Sequence, residues 1–134
     1  PIKHFHIPAV IVGSGINHRE DSRLVSQIDL PQTLLSLIGI NSENPMIGHD
    51  LTREIKKEKL RAMMQFYKNF AWMDVENNVV ILQPEKSPLT FHYDRQTESL
   101  SPIKINDQGL IETAKANALW GSLAYKKDYY QAVD

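Results

Sequence analysis

Few side chains here have both the type and the setting for chemistry, and each has a competing structural explanation. His4 and His6 flank Phe5. In a strand, residues two apart point the same way, so both imidazoles could reach one ion. Two ligands fall short of the three or four protein donors of a metal site. A pair of edge or loop histidines is therefore the stronger reading. Gly13-Ser14-Gly15 follows an apolar run, but it lacks the lysine and the wider glycine spacing of a phosphate loop. It also lacks glycine two residues either side of the serine, which a hydrolase nucleophile elbow needs. A plain strand-exit turn fits better. Asp29 has the chemistry of an acid or a metal ligand. Its place directly before Leu30-Pro31 makes helix capping the better explanation, worth about 1 kcal/mol. Thr33 falls inside that helix and is a poor nucleophile. His49-Asp50 lies in a loop, where it could bind a ligand or simply turn the chain. His92 is expected to point outward between Phe91 and Tyr93. The methionine and aromatic residues between 63 and 73 could line a lipid or glycan pocket, but packing of a small core is the stronger reading.

These residues must be positioned by the elements around them. Ile7 to Val12 is a short, nearly continuous apolar run, as in a buried strand of a parallel sheet. Pro8 then belongs at its start. Asp29 opens a helix in which Pro31 occupies the first turn. Leu30, Leu34, Leu37 and Ile38 recur at helical spacing as an apolar face, and Gly39 suits the left-handed position after the last turn. Residues 41 to 52 read as a loop in which Met46-Ile47-Gly48-His49-Asp50-Leu51 is pinned by its apolar members. Glu54 to Leu60 could form one or two helical turns. The pattern then changes to short aromatic or β-branched runs: Arg61 to Phe66, Phe70 to Val75, Val79 to Leu82 and Leu89 to Tyr93. Turn residues separate them, including Lys68-Asn69, Asn77-Asn78 and Pro84 to Pro88, so an antiparallel meander is predicted. Asn106 or Asp107 would cap a closing helix from about Gln108 to Tyr125. Leu110, Ile111, Ala114 and Ala118 give it a narrow apolar stripe, continued by Trp120, Leu123, Tyr125, Tyr129 and Tyr130.

Composition excludes several classes. The 134 residues are 42% hydrophobic, with 15 Lys+Arg against 16 Asp+Glu. The chain is neither compositionally disordered nor a basic nucleic-acid module. The basic run from Arg53 to Arg61 is broken by Glu54 and Glu58 and reads as a solvated helix face. There is no cysteine, which removes disulfides and thiolate metal sites. No apolar run approaches the ~20 residues that span a bilayer, and no signal peptide is visible. The start at Pro1, without Met, suggests an excised piece or a processed product.

Two stretches carry a resemblance: Ile7-Pro8-Ala9-Val10-Ile11-Val12, and Ser26-Gln27-Ile28-Asp29-Leu30-Pro31-Gln32-Thr33-Leu34-Leu35 followed by Gly39-Ile40 and Gly48-His49-Asp50-Leu51. Together they resemble the closing strand and helix of the sulfatase and alkaline phosphatase superfamily. The match looks closest to its lipoteichoic acid synthase-like, phosphoglycerol transferase branch. One departure is Pro31-Gln32-Thr33, where the usual order has Pro directly before Thr. The motif match covers about residues 4 to 52, and the later strands and helix resemble the family's C-terminal subdomain more loosely.

The resemblance implies an α/β fold, α+β when the piece stands alone. Residues 1–52 would form the closing strand–helix unit of a sulfatase-like catalytic domain, and residues 53–134 a C-terminal antiparallel sheet plus helix. It also implies a metal-dependent parent with a Thr- or Ser-type nucleophile, or formylglycine in true sulfatases. A divalent metal (Mn, Mg, Zn or Ca) would be held by upstream Asp/Glu residues and an Asp-His pair. This chain has no Asp-His-Gly and no Thr or Ser in the expected setting. No residue is therefore assigned a catalytic, cofactor-binding or metal role. Asp29 and Gly39 inherit structural roles only. The expected partner is the upstream catalytic region of the same parent. No nucleic acid and no membrane contact by this segment are expected. The parent would be membrane-anchored at the periplasmic or extracellular face of the bacterial inner membrane. Self-association is a further expectation, because Ile7 to Val12 would present an open edge. The alternative function is a non-enzymatic α/β module that binds a glycan, a lipid headgroup or a protein.

Overall fold

The computed structural model describes residues 2–41, 43–104 and 108–130. Its helices are α1, Leu30–Leu37, and α2, Gln108–Lys126. Five strands lie between them: β1 Arg61–Phe66, β2 Asn69–Asp74, β3 Asn78–Leu82, β4 Leu89–Asp94 and β5 Ser99–Pro102. They form one sheet in chain order, and each neighbouring pair is antiparallel. Short 3-10 turns occupy Ile2–Phe5, Gln27–Asp29 and Lys57–Lys59.

The meander follows from its turns. Tyr67, with Lys68, links β1 to β2 at a positive φ of 53°, so the turn starts one residue earlier than Lys68-Asn69. Asn77 supplies the φ of 63° that the β2–β3 connection needs, a conformation asparagine tolerates. Asp74 locks that turn, since its carboxylate accepts the backbone N–H groups of Glu76 (2.8 Å) and Asn78 (2.9 Å). Asp94 does the same after β4 for Gln96 and Thr97. The strand β5 was not expected. Ser99-Leu100-Ser101-Pro102 has a single large apolar residue and no alternation to read. It forms because β4 offers a ladder, and Pro102 is tolerated on an edge strand.

The sheet has two apolar faces. On one, Met64, Met73, Val79 and Tyr93 are buried, with Ile2 and Leu24 of the N-terminal segment packed against them. On the other, Trp72 and Val80 meet Ala114 of α2, flanked by Leu110 and Ile111. The small side chain of Ala114 lets α2 approach closely. Trp72, Met64 and Met73 are therefore core residues. Phe66 and Tyr67 remain exposed at the hairpin tip, with their rings edge to face 4.6 Å apart. His92 is exposed beside buried Tyr93, as the alternation requires. The closing helix starts where expected and ends one residue later than Tyr125. The caps expected at Asn106 or Asp107 lie outside the described residues.

Two expectations are corrected. Ile7 to Val12 forms no strand. Val10 and Val12 are almost fully exposed, at 86% and 89%. A buried parallel strand needs neighbours on both sides, and among the described residues every strand belongs to the local meander. The apolar face of α1 is not buried either: Leu30, Leu34, Leu37 and Ile38 are all exposed. Between Glu54 and Leu60 one 3-10 turn forms, within the one or two helical turns expected there.

Candidate functional site

Of the residues singled out for chemistry, Asp29, Thr33 and His49 come together, and the structure gives them a mechanical arrangement. Asp29 is fully buried. It is not the N-cap of α1, because its own backbone is already helical, with φ −80° and ψ −16°. Ser26 is the cap, with extended backbone, and Asp29 sits three residues on. The Asp29 Oδ2 reaches back to accept the Ser26 N–H at 2.8 Å, which is the reciprocal half of a capping box. Pro31 in the first turn of α1 costs no backbone bond.

The same carboxylate ties two remote segments to the helix start. Arg61 Nη1 donates to Oδ2 at 2.8 Å, and the His49 N–H donates to Oδ1 at 2.7 Å. Arg61 is itself buried, so this ion pair is shielded from solvent. Burial pushes the Asp29 carboxyl up. The Arg61 hydrogen bond, two backbone N–H bonds and the Arg61 charge outweigh it and hold the carboxyl below its ordinary range.

Ser26 and Thr33 extend the clamp. The Ser26 hydroxyl accepts the Met63 N–H at 2.8 Å and donates to the Arg61 carbonyl at 3.2 Å. It thereby occupies two backbone groups on the outer edge of β1. The Thr33 hydroxyl donates to the Asp29 carbonyl at 2.7 Å and accepts the Leu51 N–H at 3.0 Å. The loop between them approaches so closely that a Cβ on Gly48 would overlap the Ile28 carbonyl oxygen. Arg23 supports the far side of this loop by donating to the carbonyls of Leu51 (2.6 Å) and Arg53 (3.1 Å).

This geometry limits the chemistry. The Asp29 carboxylate already accepts three strong donors. His49 Nδ1 lies 3.7 Å from Asp29 Oδ1, too far for a hydrogen bond, and it is buried without a partner among the described residues. Burial, then the Arg61 charge, lowers the His49 pKa, with Asp29 opposing. The imidazole is therefore held neutral and does not form a working acid–base pair with Asp29. Asp50 accepts both the N–H and the hydroxyl of Thr52 and pairs with Arg53, so the His49-Asp50 segment turns the chain. Ser14 lies in an exposed turn with Gly15 at φ +78°. His4 lies in the 3-10 turn Ile2–Phe5, so the strand geometry that would aim His4 and His6 at one ion does not apply. Among the described residues no three His, Asp or Glu side chains gather to hold a metal. The donors present do not fit the divalent ion that the resemblance implies, and no step through such an ion belongs to them.

Arg61 is the residue that sequence reading missed. The run Arg53 to Arg61 reads as a solvated basic face, whereas Arg61 is a buried ion-pair partner. Its partner lies 32 residues upstream. The one local signal is its position at the start of an apolar strand run.

No family model matches the chain. It is similar to a solved structure described as a protein in the alkaline phosphatase superfamily from Vibrio parahaemolyticus, with 45% identity and a TM-score of 0.91. The similarity covers 99% of this chain and 32% of that one, so the chain spans about a third of the structure it matches. The mixed α/β architecture described above, with its antiparallel sheet and closing helix, is thus shared almost throughout with a stretch of an alkaline phosphatase superfamily protein.

Proposed function

We propose that this chain is the C-terminal part of an alkaline phosphatase superfamily enzyme, in the lipoteichoic acid synthase-like branch. The whole enzyme would be a membrane-anchored, metal-dependent phosphoglycerol transferase or sulfatase-like hydrolase facing the periplasm or the cell exterior. In this reading residues 1–52 belong to the catalytic domain and residues 53–134 brace it. The nucleophile and the metal ligands come from the region upstream, which is the partner of this segment. The chain's own residues hold shape: the Asp29 clamp fixes α1 against the 48–51 loop and β1.

The observation that carries this reading is the unpartnered apolar surface on the N-terminal side. Ile7, Val10 and Val12, and Leu34 and Ile38 of α1, are each exposed. Two segments that each expose several large apolar side chains would be covered if the upstream region packed against them. The same sequence reads as a buried strand and a one-faced helix, which is the pattern of elements packed inside a larger sheet.

The test is to assay residues 1–134 alone, and joined to the region that precedes them in the reading frame, for phosphodiester and sulfate ester hydrolysis with Mn, Mg, Zn or Ca. Turnover is expected only in the longer protein, together with protection of the 7–12 and α1 amides from hydrogen exchange. Metal-dependent turnover by residues 1–134 alone would overturn the reading. So would an upstream region that lacks a nucleophile and an Asp-His pair, an outcome that favours the non-enzymatic binding module.

A further inference from the structure

We propose that the groove between α2 and the β1–β2 end of the sheet binds an anionic oligosaccharide. This site lies on the α2 face and does not depend on the catalytic reading.

The row Gln65–Phe70–Leu82 crosses β1, β2 and β3 on the face that carries α2. Beyond Ala114 the helix leaves this row partly uncovered. A groove of about 340 Å³ opens there, with Lys115, Ala118 and Leu119 on its helical wall. Phe70, Leu82, Pro84 and Leu119 supply an apolar floor and wall. Binding sites commonly combine such a surface with a few polar groups in a volume of this size.

The polar groups here have one character. Lys68, in the β1–β2 turn, and Lys115 both line the groove, and among the described residues no acidic one does. Lys115 makes an exposed ion pair with Glu112 at 3.3 Å, a contact weak enough to yield to a ligand anion. Gln65, Asn69 and Gln83 complete the lining. Each carboxamide offers a donor and an acceptor, which matches hydroxyl groups that do both. Two ammonium charges, three carboxamides and an apolar floor fit the three parts of an acidic sugar: its anion, its hydroxyls and its C–H face.

The test is an NMR titration of residues 1–134 with a heparin-derived sulfated tetrasaccharide, beside neutral maltotetraose and inorganic sulfate. The sulfated sugar is expected to shift the amides of Lys68, Asn69 and Leu119 and to bind more tightly than either control. Lys68→Glu with Lys115→Glu should weaken binding by at least about tenfold, whereas Lys126→Glu with Lys127→Glu should not. Lys68 sits in an exposed turn, so Lys68→Ala alone serves if the double variant fails to fold. Absence of these shifts would overturn the proposal. So would equal binding of the neutral sugar or of inorganic sulfate, or an equal loss in the Lys126/Lys127 variant.

Discussion

The α1 end of the molecule and the sheet–α2 end are held by different physics. Around Ser26, Asp29, Thr33 and Arg61 the buried residues are polar, and a network of charge-assisted and backbone bonds fixes three separate segments. Around Val79, Val80, Trp72 and Ala114 the buried residues are apolar, and packing on two sheet faces does the work. The apolar side chains of α1 contribute little to burial among the described residues, because they face outward. A polar clamp holds an element in one orientation while its apolar face stays available to something else. An apolar core cannot do that, since its surface is used up in holding it. The contrast predicts that the clamp fails all at once and with acid, whereas the core fails in proportion to what is removed.

The largest effect should come from breaking the buried ion pair. Asp29→Ala leaves Arg61 buried and unpaired, and should destabilise the chain by about 3–5 kcal/mol, read from urea unfolding. Asp29→Ala with Arg61→Met should recover part of that loss, because no lone charge then remains. If the double variant is as unstable as the sum of the singles, the two residues are not coupled and the clamp is misassigned.

Acid should act on the same region. The Asp29 carboxyl is held below its unfolded value, so its contribution is complete above that value, about 3.9, and is lost as pH falls through the folded pKa. His49 is also lowered, so the unfolded state takes up its proton first. Stability therefore begins to decline as pH falls through about 6.5. His49→Gln should remove the upper part of this decline and leave the lower part. A stability that is flat from pH 7 to pH 4 would contradict the His49 assignment, and one that stays flat as pH falls further below 4 would contradict that of Asp29.

Next in size is Gly48→Ala. The added methyl meets the Ile28 backbone, which cannot turn aside as a flexible side chain would. A loss of about 3 kcal/mol is expected. Val79→Ala in the sheet core should cost about 2 kcal/mol, without changing the pH profile. A changed profile would mean that the two regions are not independent.

What could be read in the sequence divides along the same line. The meander was legible because each strand pairs with the next, so turn residues such as Asn77 and the runs between them specify it locally. The closing helix was legible from its stripe. The serine-bearing edge strand β5 was not, since it borrows its structure from β4. Asp29 was recognised as a helix-start residue, but its position in the box and its partners were not visible. Arg61 and His49 reach it only after the chain has folded across 32 and 20 residues. Ile7 to Val12 has the pattern of a strand, but among the described residues no strand lies beside it, and apolar pattern alone does not supply a pairing partner.

The smallest predicted effect concerns the other end of α1, where sequence and structure agree closely. Gly39 has φ +76°. Its N–H donates to the Ser36 carbonyl at 3.1 Å, and the Ile40 N–H donates to the Leu35 carbonyl at 2.9 Å, the two bonds of a Schellman cap. A Cβ at this position would meet nothing within 4 Å, so Gly39→Ala probes backbone conformation alone. It should cost about 1 kcal/mol, and Gly39→Asn less, because asparagine enters the left-handed region more readily. The size of this loss, beside that of Asp29→Ala, weighs the two ends of one short helix. With its apolar face outward, α1 depends on its ends. If Gly39→Ala is neutral while Asp29→Ala is severe, the clamp alone sets the helix, and the polar end holds even more than the geometry assigns to it.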